Sequence, residues 1–531
     1  MNLVQDPWLP FRLKDGSEKS LPMSAITRAD VVDFALPRAD FQGAAYQFAI
    51  GLLQTVLAPK NQLEWHDFYE QPPTEKTLQV EFDRAAHAFN CTGDGPLFMQ
   101  DFDVLAESKS TTIAGLLIEA PGGNGLKLNT DHFIKRGIGS VMSLEMANIA
   151  LFTLQINAPS GGQGHRTGLR GGGPLTTLVL PQTPESSLWQ KLWLNVMNRD
   201  FWSYPDPDFS SEQIFPWLAQ TKTSEKKGSE VYAKDVHPLQ MFWAMPRRIR
   251  LELENINHVC ELTGLRSDYS VTQYRTQNYG INYSGAWQHP LTPYKWNPKK
   301  PDEEPLSAKG QPGGISYKIW DALTLTSQES GQECAQVVKH FYTLSDDFIG
   351  RQSEVPRLWA FGYDMDNMKA RGWYSTSLPL FSIEPEAQED ILYAVKALHK
   401  LSADALWHCR SQVKSAWFEK PGDIKGDMTF IDLEFWQRTE RAFFAAVQNV
   451  IDNAEQGEYR LKPEQAQAWL RALQNRVIDL FDEYALSELG NERSMAKRIK
   501  ARQALTGWLY GGKDVKNFIK EYEIEMYKEM A

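Results

Sequence analysis

Seven glycines fall between Gly161 and Gly173 in the run Asn157 to Pro174, NAPSGGQGHRTGLRGGGP, with His165, Arg166 and Arg170 threaded among them. Glycine lets another chain approach the main chain closely, and bare N–H groups in such a turn make a nest for anions or acceptor atoms. Arginine adds forked donors suited to phosphate. The standard nucleotide cradles do not fit. A P-loop needs Gly-Lys-Ser/Thr after its glycines, and none follows. A Rossmann turn needs G-x-G-x-x-G after a strand; here Gly162-x-Gly164 is followed by Gly168, one residue too far, and a helical run precedes it. Three uses remain: a recognition loop, an anion or oxyanion cradle in a free-standing hydrolase or transferase with His165 as base, and a purely structural connection.

The elements around this segment follow from periodicity. Met142 to Gln155 reads as an apolar helix leading in, and Leu175 to Leu180 as a strand leading out. Upstream, residues 1 to 25 read as a hairpin turning at Lys14-Asp15-Gly16. Asp40 then reads as the N-cap of a helix whose Phe41, Ala44, Ala45, Phe48, Ala49, Leu52, Leu53 and Val56 recur at helical spacing before Pro59. Glu75 to Ala88 and Leu188 to Met197 are further helical stretches. Leu239 to Arg250 has strand character, with Arg247, Arg248 and Arg250 read as solvated charge on an edge. Gly362 to Trp373 reads as a second loop, and Lys295 to Gly314, rich in Pro, Lys and Glu, as a flexible connection. From Pro385 onward Glu386 to Cys409, Thr429 to Asn453, Pro463 to Leu486 and Asn491 to Tyr510 show 3.6-residue periodicity, with an apolar stripe of Leu433, Trp436, Phe443, Phe444 and Val447. The expectation is an α+β fold: a large mixed N-terminal domain with loop-rich small sheets, residues 1–384, then a C-terminal four-helix bundle, residues 385–531.

At 531 residues the chain is too long for one ordinary core. Its 42% hydrophobic and 23% charged content is that of a globular protein, with no apolar run long enough for a bilayer and no basic-then-apolar leader. Four scattered cysteines, Cys91, Cys260, Cys334 and Cys409, without a CxxC, fit reduced thiols in a cytoplasm. His258 and Cys260 are only half a zinc knuckle, so no structural metal is expected, and no cofactor is implied. HExxH, GxSxG and kinase signatures are absent, and Asp364 with Asp366 has no third carboxylate or histidine beside it, so no catalytic residue is assigned. The net charge of −11 argues against wrapping a long stretch of DNA, yet Asp131 to Gly172 carries four basic residues against two acidic ones.

The run ALFTLQINAPSGGQGHRTGLRGGGPLTTLVLP resembles the signature of the large subunit of the type I-E CRISPR surveillance complex, Cascade (the CasA family). NLVQDPWLPF at the start, PLFMQD from Pro96 and GYDMDNMKARGW from Gly362 resemble further family segments in the same order. The resemblance implies a non-catalytic subunit partnered by other Cascade subunits, a CRISPR guide RNA, double-stranded target DNA and a recruited helicase–nuclease, with no membrane. It implies that Ser160, Gly161, Gly162, Gln163, Gly164 and His165 approach the minor groove of the protospacer-adjacent motif. Asp366, Asn367 and Met368 would form the wedge that starts strand separation, Asn367 standing where a well-known member has a glutamine. His132, Phe133, Ile134 and Lys135 match a loop that touches the guide RNA end and nearby DNA. The family also sends a lysine into the minor groove; no lysine stands between Tyr274 and Pro293, and Arg275, Gln277 and Asn278 are the substitutes. Arg493, Lys497, Arg498 and Arg502 give the last helix a basic face, usually a solvated surface, here a candidate path for the displaced strand.

Overall fold

The computed structural model describes the chain except for residues 121–137, 163, 301, 345–354, 367–368, 424–425, 488–491 and 526–531, and for residues 492 and 493 only the backbone. It divides into two compact units, Met1–Gly310 with Cys334–Ser377, and Gln311–Glu333 with Leu378–Ala531.

The first unit begins with strands β1 (Leu9–Leu13) and β2 (Glu18–Leu21), which pair antiparallel across a turn where Asp15 Oδ1 accepts from Ser17 N–H at 2.9 Å. β3 (Val31–Phe34) pairs with β1 from the other side. Helix α1 (Ala39–Val56) is buried along nearly its whole length. Its N-cap is Arg38, not Asp40; Asp40 lies inside the first turn, where it takes the Arg38 guanidinium at 2.9 Å. On α1, Phe48 meets Trp8, Phe89, Phe98, Phe152 and Trp243 edge-on, the centroids 5.4–5.8 Å apart. Such T-shaped contacts add to plain burial because ring edges are positive and faces negative. Helix α2 (Gln62–Glu70), which periodicity did not announce, and α3 (Glu75–Asp83) follow, each opened by a side-chain cap from Asn61 and Thr74.

Strands β4 (Ser110–Thr112) and β5 (Met142–Ser143) precede α4 (Leu144–Asn157), where Ser143 Oγ accepts from Met146 N–H at 3.3 Å to set the start. α4 packs on α1. β6 (Thr176–Leu180) and the short helix α5 (Leu188–Trp193) come next. Leu239 to Arg250 is not one strand: Pro238–Trp243 is a 3₁₀ turn, and only then does β7 (Arg248–Glu254) begin. β8 (Ser270–Gln277) pairs with β4, β5 and β7. Gly362 to Trp373 is no loop either: β9 (Arg357–Asp366) and β10 (Lys369–Pro379) form a hairpin, with β9 also paired to β6. Gly362 gave that run the look of a turn. Its bare Cα instead admits Pro174 O, which a Cβ would approach to 2.7 Å. The class is α+β with several small sheets, as the sequence indicated.

The second unit contains α6 (Gln388–Trp417), α7 (Thr429–Ala454), α8 (Pro463–Leu486), α9 (Glu492–Gly511) and α10 (Lys513–Glu521). α6 packs on α7, α8 and α9, and α8 packs on α7 and α9. The apolar stripe of α7 runs through Phe435, Trp436, Phe443, Phe444 and Val447; Leu433 lies off it and is exposed. The segment Gln311–Glu333 joins these helices through Tyr317. Its ring stacks on Phe443 at 4.1 Å, meets Trp436 edge-on at 4.9 Å, and its hydroxyl pairs with Thr439 Oγ1 at 2.8 Å. Replacing Tyr317 by Ala should lower the unfolding free energy by about 3–5 kcal/mol through the cavity left behind, and Tyr317→Phe by only about 1 kcal/mol; urea denaturation followed by tryptophan fluorescence checks the ordering.

Candidate nucleic-acid interface

The glycine-rich segment hangs between the end of α4 and the start of β6, and its neck is closed by Gly168 N–H donating to Ala158 O at 2.8 Å. One side is held from just before β7. Gln155 and Arg247 exchange two hydrogen bonds, Arg247 N–H to Gln155 Oε1 at 2.9 Å and Gln155 Nε2–H to Arg247 O at 3.0 Å. The Arg247 guanidinium donates to Pro159 O. The other side is held from just after β8, where Tyr279 N–H donates to Gly164 O at 2.6 Å. These supports come so close that side chains would not fit. A Cβ on Gly161 would lie 2.6 Å from His165 Cβ and against the Arg247 guanidinium; one on Gly164 would lie 2.6 Å from Asn278 Cβ. Gly162 is the opposite case. It is exposed, its φ is +87°, and among the described residues no atom beyond its chain neighbours lies within 4 Å of the place a Cβ would take. Gly161 and Gly162 therefore present bare main chain on a tight mount.

The far end of the segment seats on the hairpin. A Cβ on Gly173 would run into Met365 of β9 and come within 2.9 Å of Tyr363 O. Asp366, the last residue of β9, is exposed. Across the hairpin Arg371 of β10 donates to Asp364 Oδ1 at 2.7 Å and Oδ2 at 3.1 Å and lies 3.8 Å from Asp366 Oδ2. Asp364 is thus a structural anion, held by an arginine.

Several residues with the right chemistry for phosphate are committed elsewhere. Arg170 is fully buried and donates to Gln47 Oε1 at 2.8 Å, Thr176 Oγ1 at 2.9 Å, Thr292 Oγ1 at 3.1 Å and Ile156 O at 3.3 Å. Arg166 donates to Ser224 Oγ at 2.7 Å and Ser224 O at 2.9 Å. Burial pulls Arg170 and Arg247 down to about 10. Arg247 and Arg248 are not solvated edge charges: both are buried, and Arg248 Nε lies 2.6 Å from Asp101 Oδ2. Of the three minor-groove candidates, Arg275 is tied to Glu252 at 2.7 Å and Ala106 O at 2.6 Å, Gln277 is exposed at the end of β8, and half-buried Asn278 touches the Gly164 turn. The basic face of α9 is largely neutralised. Lys497 pairs with Glu419 at 3.1 Å, Arg502 with Asp482 at 2.6 Å, and Arg498 is buried over the Trp417 ring at 4.0 Å; the Arg493 side chain lies outside the described residues. So do Gln163, Asn367, Met368, and His132, Phe133, Ile134 and Lys135.

His165 is half-buried, and burial, then the nearby Arg247, hold its pKa below the usual histidine value. Cavities of about 380, 620 and 570 Å³ open on this unit, and His165 is not among the described residues that line these. Among the described residues no His, Cys, Asp and Glu group could hold a metal ion, and no helix is long and apolar enough to cross a membrane. Sequence reasoning missed the two residues that carry the mount. Arg247 carried no signal beyond its charge, and Tyr279, at φ +65°, is of a type that gives no hint of a left-handed turn.

Fold and site define a two-unit α+β protein built around a mounted main-chain loop. The family described as CRISPR-associated protein Cse1 matches residues 2–480, and the chain belongs to that family. Similar solved structures include CasA from Thermus thermophilus (15% identity, 96% of this chain and 99% of that one, TM-score 0.64) and Cse1 from Acidimicrobium ferrooxidans (15%, 98% and 99%, 0.62). A chain of a CRISPR RNA-guided surveillance complex is similar too (14%, 95% and 99%, 0.64).

Arg170→Met should lower the unfolding free energy by about 3 kcal/mol, since it orphans several buried oxygens at once; chemical denaturation reads this. His165, depressed in the folded state, should draw stability away as pH falls from about 6.5 towards its folded pKa, because the unfolded chain binds the proton first. A histidine-resolved NMR titration should place the His165 midpoint below about 6.5, the value of an unperturbed imidazole.

Proposed function

We propose that this protein is the large, non-catalytic subunit of an RNA-guided surveillance complex, working with sister subunits and a CRISPR guide RNA. In this reading the tip Ser160–Gly164 reads a short motif in duplex DNA from the minor groove. The single observation that carries it is Gly162, exposed at positive φ with open space where a side chain would stand. A bare peptide unit can reach base edges at the floor of a groove about 6 Å wide, where a side chain would strike the walls. The minor groove shows a degenerate acceptor pattern with one added donor on G, so few contacts and several tolerated motifs follow. Asn278 stands beside the tip and replaces the family lysine. Family membership and the fold shared with a surveillance-complex chain support the assignment.

The hairpin does the second task. Asp366, Asn367 and Met368 enter the base step next to the motif, and the seat of Gly173 on Met365 brings β9 against the returning limb of the glycine-rich segment. Unstacking a step costs a few kcal/mol. Pairing with the guide recovers it in a near-balanced exchange of strands. His132 to Lys135 contact the guide RNA end, and the assembled complex then engages a helicase–nuclease that cuts.

Gly162→Asp places a carboxylate at the tip and should weaken binding of the assembled complex to motif-bearing duplex by at least about a hundredfold, as desolvated like-charge contacts cost several kcal/mol. Thermal unfolding of the variant should match the parent within a few degrees. Unchanged duplex affinity in a gel-shift titration at fixed salt would remove the tip from the interface.

A further inference from the structure

Lys222, Lys226 and Lys227 stand close together in the connection Thr221 to Lys227, against one carboxylate, Glu225. A charge run on a surface is usually just solvated. This one is bolted to the glycine-rich segment. Ser224, at its centre, is 5% exposed. Its N–H donates to Tyr279 O at 3.0 Å, and its hydroxyl donates to Gly280 O at 2.7 Å while accepting from Arg166 Nε at 2.7 Å. Tyr279 gives its own N–H to Gly164 O at 2.6 Å. One left-handed residue, at φ +65°, therefore joins the two loops back to back. Two such bonds with a single residue between them hold Ser224 N within about 9 Å of Gly164 O. Arg166 closes the same link a second time through Ser224 O at 2.9 Å.

The arginines near the tip are taken up by the protein: Arg166 by Ser224, Arg170 by Gln47 and Arg247 by Pro159 O. The lysines are not. Lys226 and Lys227 are exposed, and among the described residues neither makes a side-chain hydrogen bond or ion pair. Lys222 reaches Glu230 O at 3.5 Å. An ammonium is a compact point charge on a flexible stem, suited to a phosphate. A main-chain tip on the floor of the minor groove has the sugar-phosphate backbones on both sides, at the rim of a channel about 7.5 Å deep and 6 Å wide. Lys226 lies two residues beyond Ser224, at most about 7 Å of chain, so a lysine stem can span the height between floor and rim.

We propose that Lys226 and Lys227 hold phosphates of one strand at the rim of the groove that the Gly162 tip reads, and so set how the duplex lies over that tip. The inference rests on the proposed reading of the tip and adds the backbone contact to it. Phosphate contacts fix register and orientation, whereas base contacts carry sequence. On a chain of net charge −11 such a contact has to be local, and two unneutralised ammonium groups tied to the loop supply it.

The test is a Lys226→Gln/Lys227→Gln double variant in the assembled complex with guide RNA, titrated with motif-bearing duplex at several salt concentrations. Loss of two phosphate contacts should make the plot of log affinity against log salt shallower by about 1.8. Raising salt from about 50 to about 200 mM should then cost the parent about tenfold more affinity than the variant. Lys14→Gln/Lys19→Gln makes the same change of net charge on the opening hairpin and should keep the parent's slope. Duplexes with neutral methylphosphonate linkages, scanned across the motif and its flanks, locate the contact. At linkages beside the motif, neutralisation should weaken the parent and leave the Lys226/Lys227 variant unchanged. An unaltered slope, an equal shift in the hairpin control, or neutral linkages that cost parent and variant alike everywhere overturns the lysine contact; lost duplex affinity in Gly162→Asp would then keep the tip reading standing. Full affinity in Gly162→Asp would remove the tip reading, and the placement of the lysines beside the motif with it.

Discussion

A guanidinium stripped of water has to find oxygen atoms, and two in this protein find neutral ones. Arg170 sits among Gln47, Thr176, Thr292 and the carbonyl of Ile156; Arg247 donates to the carbonyl of Pro159. Burial lowers both pKa values to about 10, so each remains charged at neutral pH. Charges of this kind are costly to bury and are retained where their geometry is needed. Here each one fastens an end of the glycine-rich segment: Arg247 the outgoing limb after α4, Arg170 the returning limb before β6. The loop stays open at Gly162 because its flanks are pinned this tightly.

The same constraint explains why so many glycines stand in one place. Gly161, Gly164 and Gly173 are glycine because a neighbour occupies the volume of a Cβ: the Arg247 guanidinium and His165, Asn278, and Met365. Gly162 is glycine for the other reason, a left-handed backbone in open space. One run therefore holds two kinds of glycine, close-packed and free, and the free one marks the surface turned outward.

Much of this was legible in the sequence. The helix before the loop, the strand after it, the opening hairpin and the long C-terminal helices follow from hydrophobic period, because each buries a stripe or a face. The glycines marked the segment out, but not which of them is packed against a neighbour and which, Gly162, stands open. What was not legible depends on contacts between distant segments. Arg170 and Arg166 read as phosphate ligands until Gln47 and Ser224, far away in the chain, were seen to hold them. Arg248 read as solvated until Asp101 appeared 2.6 Å away. The hairpin at Gly362 was misread because a glycine that accommodates a neighbouring carbonyl looks, in one dimension, like a glycine that turns the chain. Tyr317 joined the C-terminal helices through ring contacts that periodicity does not carry.

The seat of Gly173 on Met365 and Tyr363 carries one more consequence. In the proposed reading the glycine-rich limb and β9 share this bracket, so interior packing at Gly173 would set how the two are spaced, whereas the chemistry at each end would be set by a few residues outside it. On that proposal, drift in which DNA letters are accepted would proceed by exchange at Ser160 or Asn278, with the ruler between the two ends left untouched. Relatives that diverge widely in sequence would be expected to preserve the length of that ruler while varying what it measures.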